Sequence, residues 1–230
     1  MIKTLKKSVV TAALRSSVPV MAGYIVLGMG FGIIMKTKGY GFIWTFAMSA
    51  FIYAGSMQYV AVDLITGGAS LITAALTTLM VNARHLFYGI SMVDKYRDAG
   101  KMKPYMIFAL TDETYSLVCG DVPVDEKDRH SYCLMLSAFN QCYWVGGSVL
   151  GALLGSVIPF STEGIDFALT ALFVTVFVEQ WLSTKDHASA IIGVVCSTIC
   201  LVIFGSGSFL IPAMIAITVS LTILKKLRRE

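Results

Sequence analysis

The chain has 230 residues, 56% of them hydrophobic and 14% charged, with a formal net charge of +4 and a mean hydropathy of +0.74. A soluble domain carries about 25% charge and about 45–50% apolar residues, so a disordered, collagenous or disulfide-framework chain is excluded and a soluble enzyme is disfavoured. At roughly 20 residues per membrane span, the length allows at most about eight helices with short loops.

Basic residues gather at both ends: Lys3, Lys6, Lys7 and Arg15 at one, Lys225, Lys226, Arg228 and Arg229 at the other. Such clusters mark cytoplasmic flanks, not a nucleic-acid surface. Residues 1–15 and 225–230 are therefore expected as cytoplasmic flanks of a single transmembrane helical domain spanning 1–230. Residues 4–15 read as a short basic amphipathic segment. Apolar runs follow at 17–35, 42–65, 70–93, 105–119, 131–158, 167–183, 188–204 and 209–224. No small-residue cleavage site follows the first, so it is expected to stay as a span. The second run has a soft middle at Ala54-Gly55-Ser56. The third is interrupted by Asn82-Ala83-Arg84-His85, the fourth by Asp112-Glu113. In lipid such runs must be helical, because each backbone group has to be satisfied within its own segment. The expected class is an all-α polytopic membrane protein with about six to eight helical segments, including re-entrant or broken ones.

Eight clean crossings conflict with the loop charges. With the N-terminus inside, the basic loop carrying Lys95, Arg97, Lys101 and Lys103 would lie outside, and the acidic loop 120–129 inside. Both placements oppose the positive-inside rule. One repair makes the third segment re-entrant, its apolar half 70–81 being too short to span, and has a second segment, such as the sixth, also fail to cross. A weak internal echo, Ser49-Ala50-Phe51 with Ser137-Ala138-Phe139 and Ala74-Ala75-Leu76 with Thr170-Ala171-Leu172, relates segments two and three to five and six. Repeats of this kind recur in transporters around a midplane site.

The informative residues are polar ones within apolar runs. In segment four, Ile107, Phe108, Leu110, Leu117 and Val118 each favour insertion by roughly 0.3–0.6 kcal/mol, whereas Asp112 opposes it by roughly 2.5–3.5 kcal/mol. With Glu113 added the carboxylates win, so this helix needs a partner, a wet cavity or protonation. Two accounts stand side by side: a structural ion pair with Arg84, or a substrate and proton site. Asn82, Arg84 and His85 form a second cluster. Arg84 offers a planar fork for a carboxylate and His85 a group that titrates near neutrality; alternatively both mark a helix end at the interface. Tyr53, Gln58 and Tyr59 fall in segment two, Asn140 and Gln141 in segment five, and Glu179 and Gln180 in segment six. Interhelical hydrogen bonding suffices for Gln58 and Asn140.

Gly28 and Gly32 form one G-x-x-x-G pattern, and Gly147, Gly151 and Gly155 form two in tandem, which read as helix-packing positions. No Walker lysine, no H-E-x-x-H and no metal-ligand cluster occurs, so no ATP, metal or other cofactor is expected and no enzyme activity. Cys119 and Cys133 flank the acidic loop and would be able to pair if that loop were outside.

Several local patterns resemble the AzlC-type permeases, large subunits of branched-chain amino acid exporters. They are Pro19 with Gly23-Tyr24, Phe31-Gly32, Tyr53-Ala54-Gly55-Ser56-Met57-Gln58-Tyr59, Asn82-Ala83-Arg84-His85-Leu86-Phe87-Tyr88-Gly89, Leu110-Thr111-Asp112-Glu113 and Gly164-Ile165-Asp166-Phe167 through Phe173. The resemblance implies export of branched-chain or other large neutral amino acids across a bacterial inner membrane, with a small AzlD-type companion subunit; with no ATP-site motif, transport would be gradient-driven. On that reading Arg84 and the broken third helix would take the substrate carboxylate and Asp112 or Glu113 its ammonium. Tyr53 and Phe87 would hold the side chain, Asn82 and Gln58 would be further substrate-binding residues, and Asp112, Glu113 or His85 would couple a proton. A channel or exporter for another solute, and a non-transporting scaffold, remain as alternatives.

Overall fold

A computed structural model describes residues 6–157, 184–205 and 209–227, with a few positions between 167 and 182; regular structure among these is all helical. The chain divides into two compact units, residues 1–169 and 170–230.

The first unit is built on two long helices, α1 (Lys7–Thr37) and α8 (Arg129–Val157). At about 1.5 Å per residue α1 extends ~46 Å, and it is the one helix among the described residues long and apolar enough to cross a bilayer alone. The separate amphipathic segment expected at 4–15 does not exist as such: Val9, Ala13 and Ser17 continue α1's buried stripe at four-residue spacing, so nothing ends the helix there.

α1 and α8 run parallel. Lys6 Nζ meets Asp128 Oδ2 at 2.6 Å across 122 positions of sequence. The same offset sets Gly147 on Ile25 and Gly151 on Met29. A Cβ on Gly32 would lie 2.0 Å from the Ser148 carbonyl oxygen, and one on Gly151 2.1 Å from that of Met29. At Gly28 and Gly147 the nearest backbone atoms would lie 2.9 and 2.8 Å away. These four glycines let the two backbones touch. At Gly155 the distance is 3.4 Å, ordinary contact.

Between the two long helices, three apolar runs are each cut in two. The second gives α2 (Phe42–Phe51) and α3 (Gly55–Thr66), the third α4 (Leu71–Val81) and α5 (Arg84–Met92), the fourth α6 (Lys103–Phe108) and α7 (Asp112–Val118). The α2–α3 pair is a hairpin that enters from the far end of α1 and returns there. Gln58 Nε2 donates to Ser49 Oγ across it (3.3 Å), Gln141 halfway along α8 donates to the Ala50 carbonyl near its tip (3.0 Å), and Val62 on α3 clusters with Ile34 and Met35. The α6–α7 pair is a hairpin from the N-terminal end. Met106 and Val118 cluster with Val9, Ala13 and Tyr132, while its tip residue Thr111 reaches Tyr24 halfway along α1 (2.7 Å). The α4–α5 pair runs through: α4 starts just after α3 returns to the far end, and Met92 at the close of α5 joins the Val9 cluster. A traversing helix followed by a folded-back hairpin thus occurs twice in opposite senses, first as α1 with α2–α3, then as α4–α5 with α6–α7. This is the inverted arrangement common among transporters.

This corrects the repair derived from loop charges. Segments two and four fold back, and segment three traverses with a break. A short apolar half followed by polar residues is equally compatible with a half-crossing and with a broken crossing, so run length alone chose wrongly. The outcome for the charges is simple. Loop 93–103 and loop 119–128 both lie at the N-terminal end, tied there by His130 Nε2 on the Lys95 carbonyl (3.0 Å) and by Lys6–Asp128. The echo with segment five has no structural counterpart in α8, which passes Ser137–Phe139 unbroken; its Thr170–Leu172 part lies outside the described residues. All five cysteines are free, so Cys119 and Cys133 are unpaired.

The second unit contains α9 (Ala188–Phe204) and α10 (Leu210–Leu227), packed on each other. The sixth run with Glu179 and Gln180 lies largely outside the described residues.

Candidate functional site

Helices α3, α5 and α7 all begin at the breaks. A helix start leaves N–H groups without intrahelical partners and carries partial positive charge. Thr111 caps α7, its hydroxyl accepting from Thr114 N at 3.3 Å, and puts Asp112 and Glu113 in the first turn. Arg84 opens α5 and Ser56 is the second residue of α3.

These starts meet through one guanidinium. Arg84 forms an ion pair with Asp112 and donates from its other terminal nitrogen to Ser56 Oγ at 2.5 Å. Tyr88, one turn along α5, stacks on Tyr115 of α7 (centroids 4.7 Å apart), so α5 and α7 leave the break side by side.

Glu113 belongs to a second network. Tyr24 Oη donates to Glu113 Oε2 (2.6 Å) and lies 2.7 Å from Thr111 Oγ1; Thr111 bonds Thr114 (3.1 Å), which accepts from Asn140 Nδ2 of α8 (3.0 Å). Asn140 and Thr114 are fully buried. Among the described residues no cation pairs with Glu113, whereas Asp112 has Arg84.

Tyr53 stands at the α2–α3 tip with φ +45°, the left-handed region. An aromatic residue held there stores about 1–3 kcal/mol of strain, a cost that concentrates at functional positions. Its buried hydroxyl sits close to those of Tyr24 and Thr111. Its ring meets Phe108 at the opposing hairpin tip, centroids 6.2 Å apart.

A cavity of about 590 Å³ adjoins the breaks, lined by Tyr53, Asn82 and His85 among others. Arg84, Asp112 and Glu113 do not line it. The proposed site residues thus divide into a cavity group and a network group, joined by Tyr53. Gln58 is in neither: it is fully buried, with its amide bonded to Ser49 and to Trp144 Nε1 (2.9 Å), closing the hairpin. The Phe87 side chain lies outside the described residues. Sequence reasoning did not single out Tyr24, Ser56, Thr111 or Thr114 as site residues. Thr111 was findable, since a threonine just before two acidic residues is a helix-start signal. Tyr24 stood in the sequence only as part of the Gly23-Tyr24 pattern, with no charge or spacing to mark it as a site residue.

Comparison with known proteins gives a consistent picture. The family described as AzlC protein matches residues 19–158. The chain is 44% identical to the branched-chain amino acid transport protein AzlC of Bacillus subtilis, covering 96% of this chain and 89% of that protein. It is 41% identical to an uncharacterised membrane protein of Haemophilus influenzae (90% and 85% covered) and 36% identical to one of Helicobacter pylori (93% and 94%). No solved structure matches the chain.

Proposed function

The chain belongs to the AzlC family, and from that premise we propose that it is a secondary transporter exporting branched-chain or other large neutral amino acids across the cytoplasmic membrane. It works as the large subunit beside a small AzlD-type membrane partner, with both termini in the cytoplasm. The observation that carries this reading is the meeting of three interrupted helices around Arg84, Asp112 and Glu113, a cost to insertion that lipid-facing structure alone does not require. A zwitterion needs an anion site, a cation site and an apolar pocket. Helix starts with Arg84 suit the carboxylate, Asp112 and Glu113 suit the ammonium, and the adjoining cavity supplies apolar walls. Of the proton-coupling candidates, Glu113 is favoured, because Asp112 is held by Arg84 while, among the described residues, the Glu113 carboxylate accepts from the Tyr24 hydroxyl and pairs with no cation.

Uptake of labelled leucine into inside-out vesicles containing the chain and its small partner tests the reading. Uptake should rise with an imposed proton gradient and fall to background without the protein. Background uptake of leucine, isoleucine, valine and methionine in vesicles holding both subunits overturns it. The Arg84–Asp112 bond also favours a structural account of that pair. Asp112→Asn with full transport and lowered thermal stability would decide for it.

A further inference from the structure

Resting on the reading that this chain moves amino acids, we propose that the cavity beside the breaks is the seat of an amino acid with an aliphatic side chain, and that Tyr53 divides that seat from the Glu113 network.

The cavity is polar at one end and apolar along its walls. Tyr53, Asn82 and His85 line it at the helix breaks. Ile52, Leu86, Ile107 and Phe108 form apolar walls that are themselves partly exposed. Its other end closes on Met92 and Tyr96, which are buried and pack with Val9 and Ala13 at the N-terminal end of α1. At about 1.5 Å per residue, α5 separates the two ends by ~15 Å. The volume of about 590 Å³ falls within the range of roughly 300–1,000 Å³ usual for small-molecule sites.

The polar groups favour an amino acid over a lipid chain. Asn82 Oδ1 is buried and has no hydrogen-bond partner. A carbonyl oxygen only accepts, so a ligand donor such as an ammonium completes it. An acyl chain would satisfy the walls and leave Asn82 unpaired. Tyr53 carries the connection: its ring lines the cavity while its hydroxyl sits beside Tyr24 and Thr111, next to Glu113. A ligand that moves the strained Tyr53 ring therefore disturbs the Glu113 network.

Gly89 provides the test, because it lines the cavity and a Cβ built on it meets nothing within 4 Å. Gly89→Cys, in the full chain with its partner, is labelled in inside-out vesicles with a membrane-impermeant thiol reagent, above the background of the native cysteines. Leucine at saturation should slow labelling at residue 89 at least about fivefold, glycine should not, and Asn82→Leu should remove the protection. Ile90→Cys on the same wall repeats the measurement if Gly89→Cys does not insert. Labelling unchanged by leucine, in vesicles that take leucine up, overturns the seat while leaving the transport reading intact. Absence of leucine uptake by the unsubstituted protein defeats the transport reading itself. Labelling slowed by added phospholipid and not by leucine also overturns the proposal.

Discussion

Arg84 bonds Asp112 and Ser56 at once, using two nitrogens of a rigid fork. A lysine keeps the charge but offers a single point, so Arg84→Lys forfeits at least one charge-assisted hydrogen bond, worth about 1.5–3 kcal/mol. Leucine transport should drop by about tenfold or more at equal expression; transport within twofold of the parent would deny Arg84 this role. The two neighbouring carboxyls separate in the same assay. Glu113→Gln keeps the Tyr24 bond, since an amide oxygen still accepts, but cannot release a proton. It should retain leucine–leucine exchange and lose accumulation driven by a proton gradient. Asp112→Asn leaves Arg84 a weaker, uncharged acceptor and should depress exchange and accumulation together. If Glu113→Gln still accumulates leucine against the gradient, the proton passes elsewhere. The sequence marked Arg84, Asp112 and Glu113 because charge in an apolar run is costly wherever it lies. It could not mark Tyr24 or Thr114, whose polarity matters only because of what the fold sets beside them.

The α1–α8 seam makes a claim about elements. Gly32→Ala and Gly151→Ala each drive a methyl group into backbone, with no flexible side chain to give way. Overpacking of this kind costs about 1–3 kcal/mol or more. At about 2–4 °C per kcal/mol for a chain of this size, the detergent-solubilised protein should melt several degrees lower. Gly155→Ala, where the contact is ordinary, should melt within a degree or so of the parent. Equal melting of all three would mean that the helices do not touch as described. The small-residue spacing was legible in the sequence. That Gly28 and Gly32 face Gly147 and Gly151, in parallel and 119 positions away, was not, because spacing along one helix carries no address for its partner. The breaks were likewise visible as polar interruptions, but whether the chain turns back or continues after each is decided by packing on α1 and α8.

At the largest scale, the start of α1, loop 93–103 and loop 119–128 share one end of the first unit. Single cysteines at the exposed positions Asp98 and Asp121 should both react from the cytoplasmic side, and one at Lys38 from the other. Opposite reactivity of residues 98 and 121 would break the hairpin assignment of α6–α7. The loop charges correctly signalled that simple counting failed, and the inverted pair of helix and hairpin explains why. The parallel seam has a further consequence for synthesis. At about 5–20 residues per second, the 122 positions between the seam's halves take ~6–24 s to make. For that interval α1 waits in the bilayer with its Gly28–Gly32 groove bare, open to another nascent copy or to an insertion chaperone. The surface that joins α1 to α8 is thus left without its partner until most of the first unit has been made.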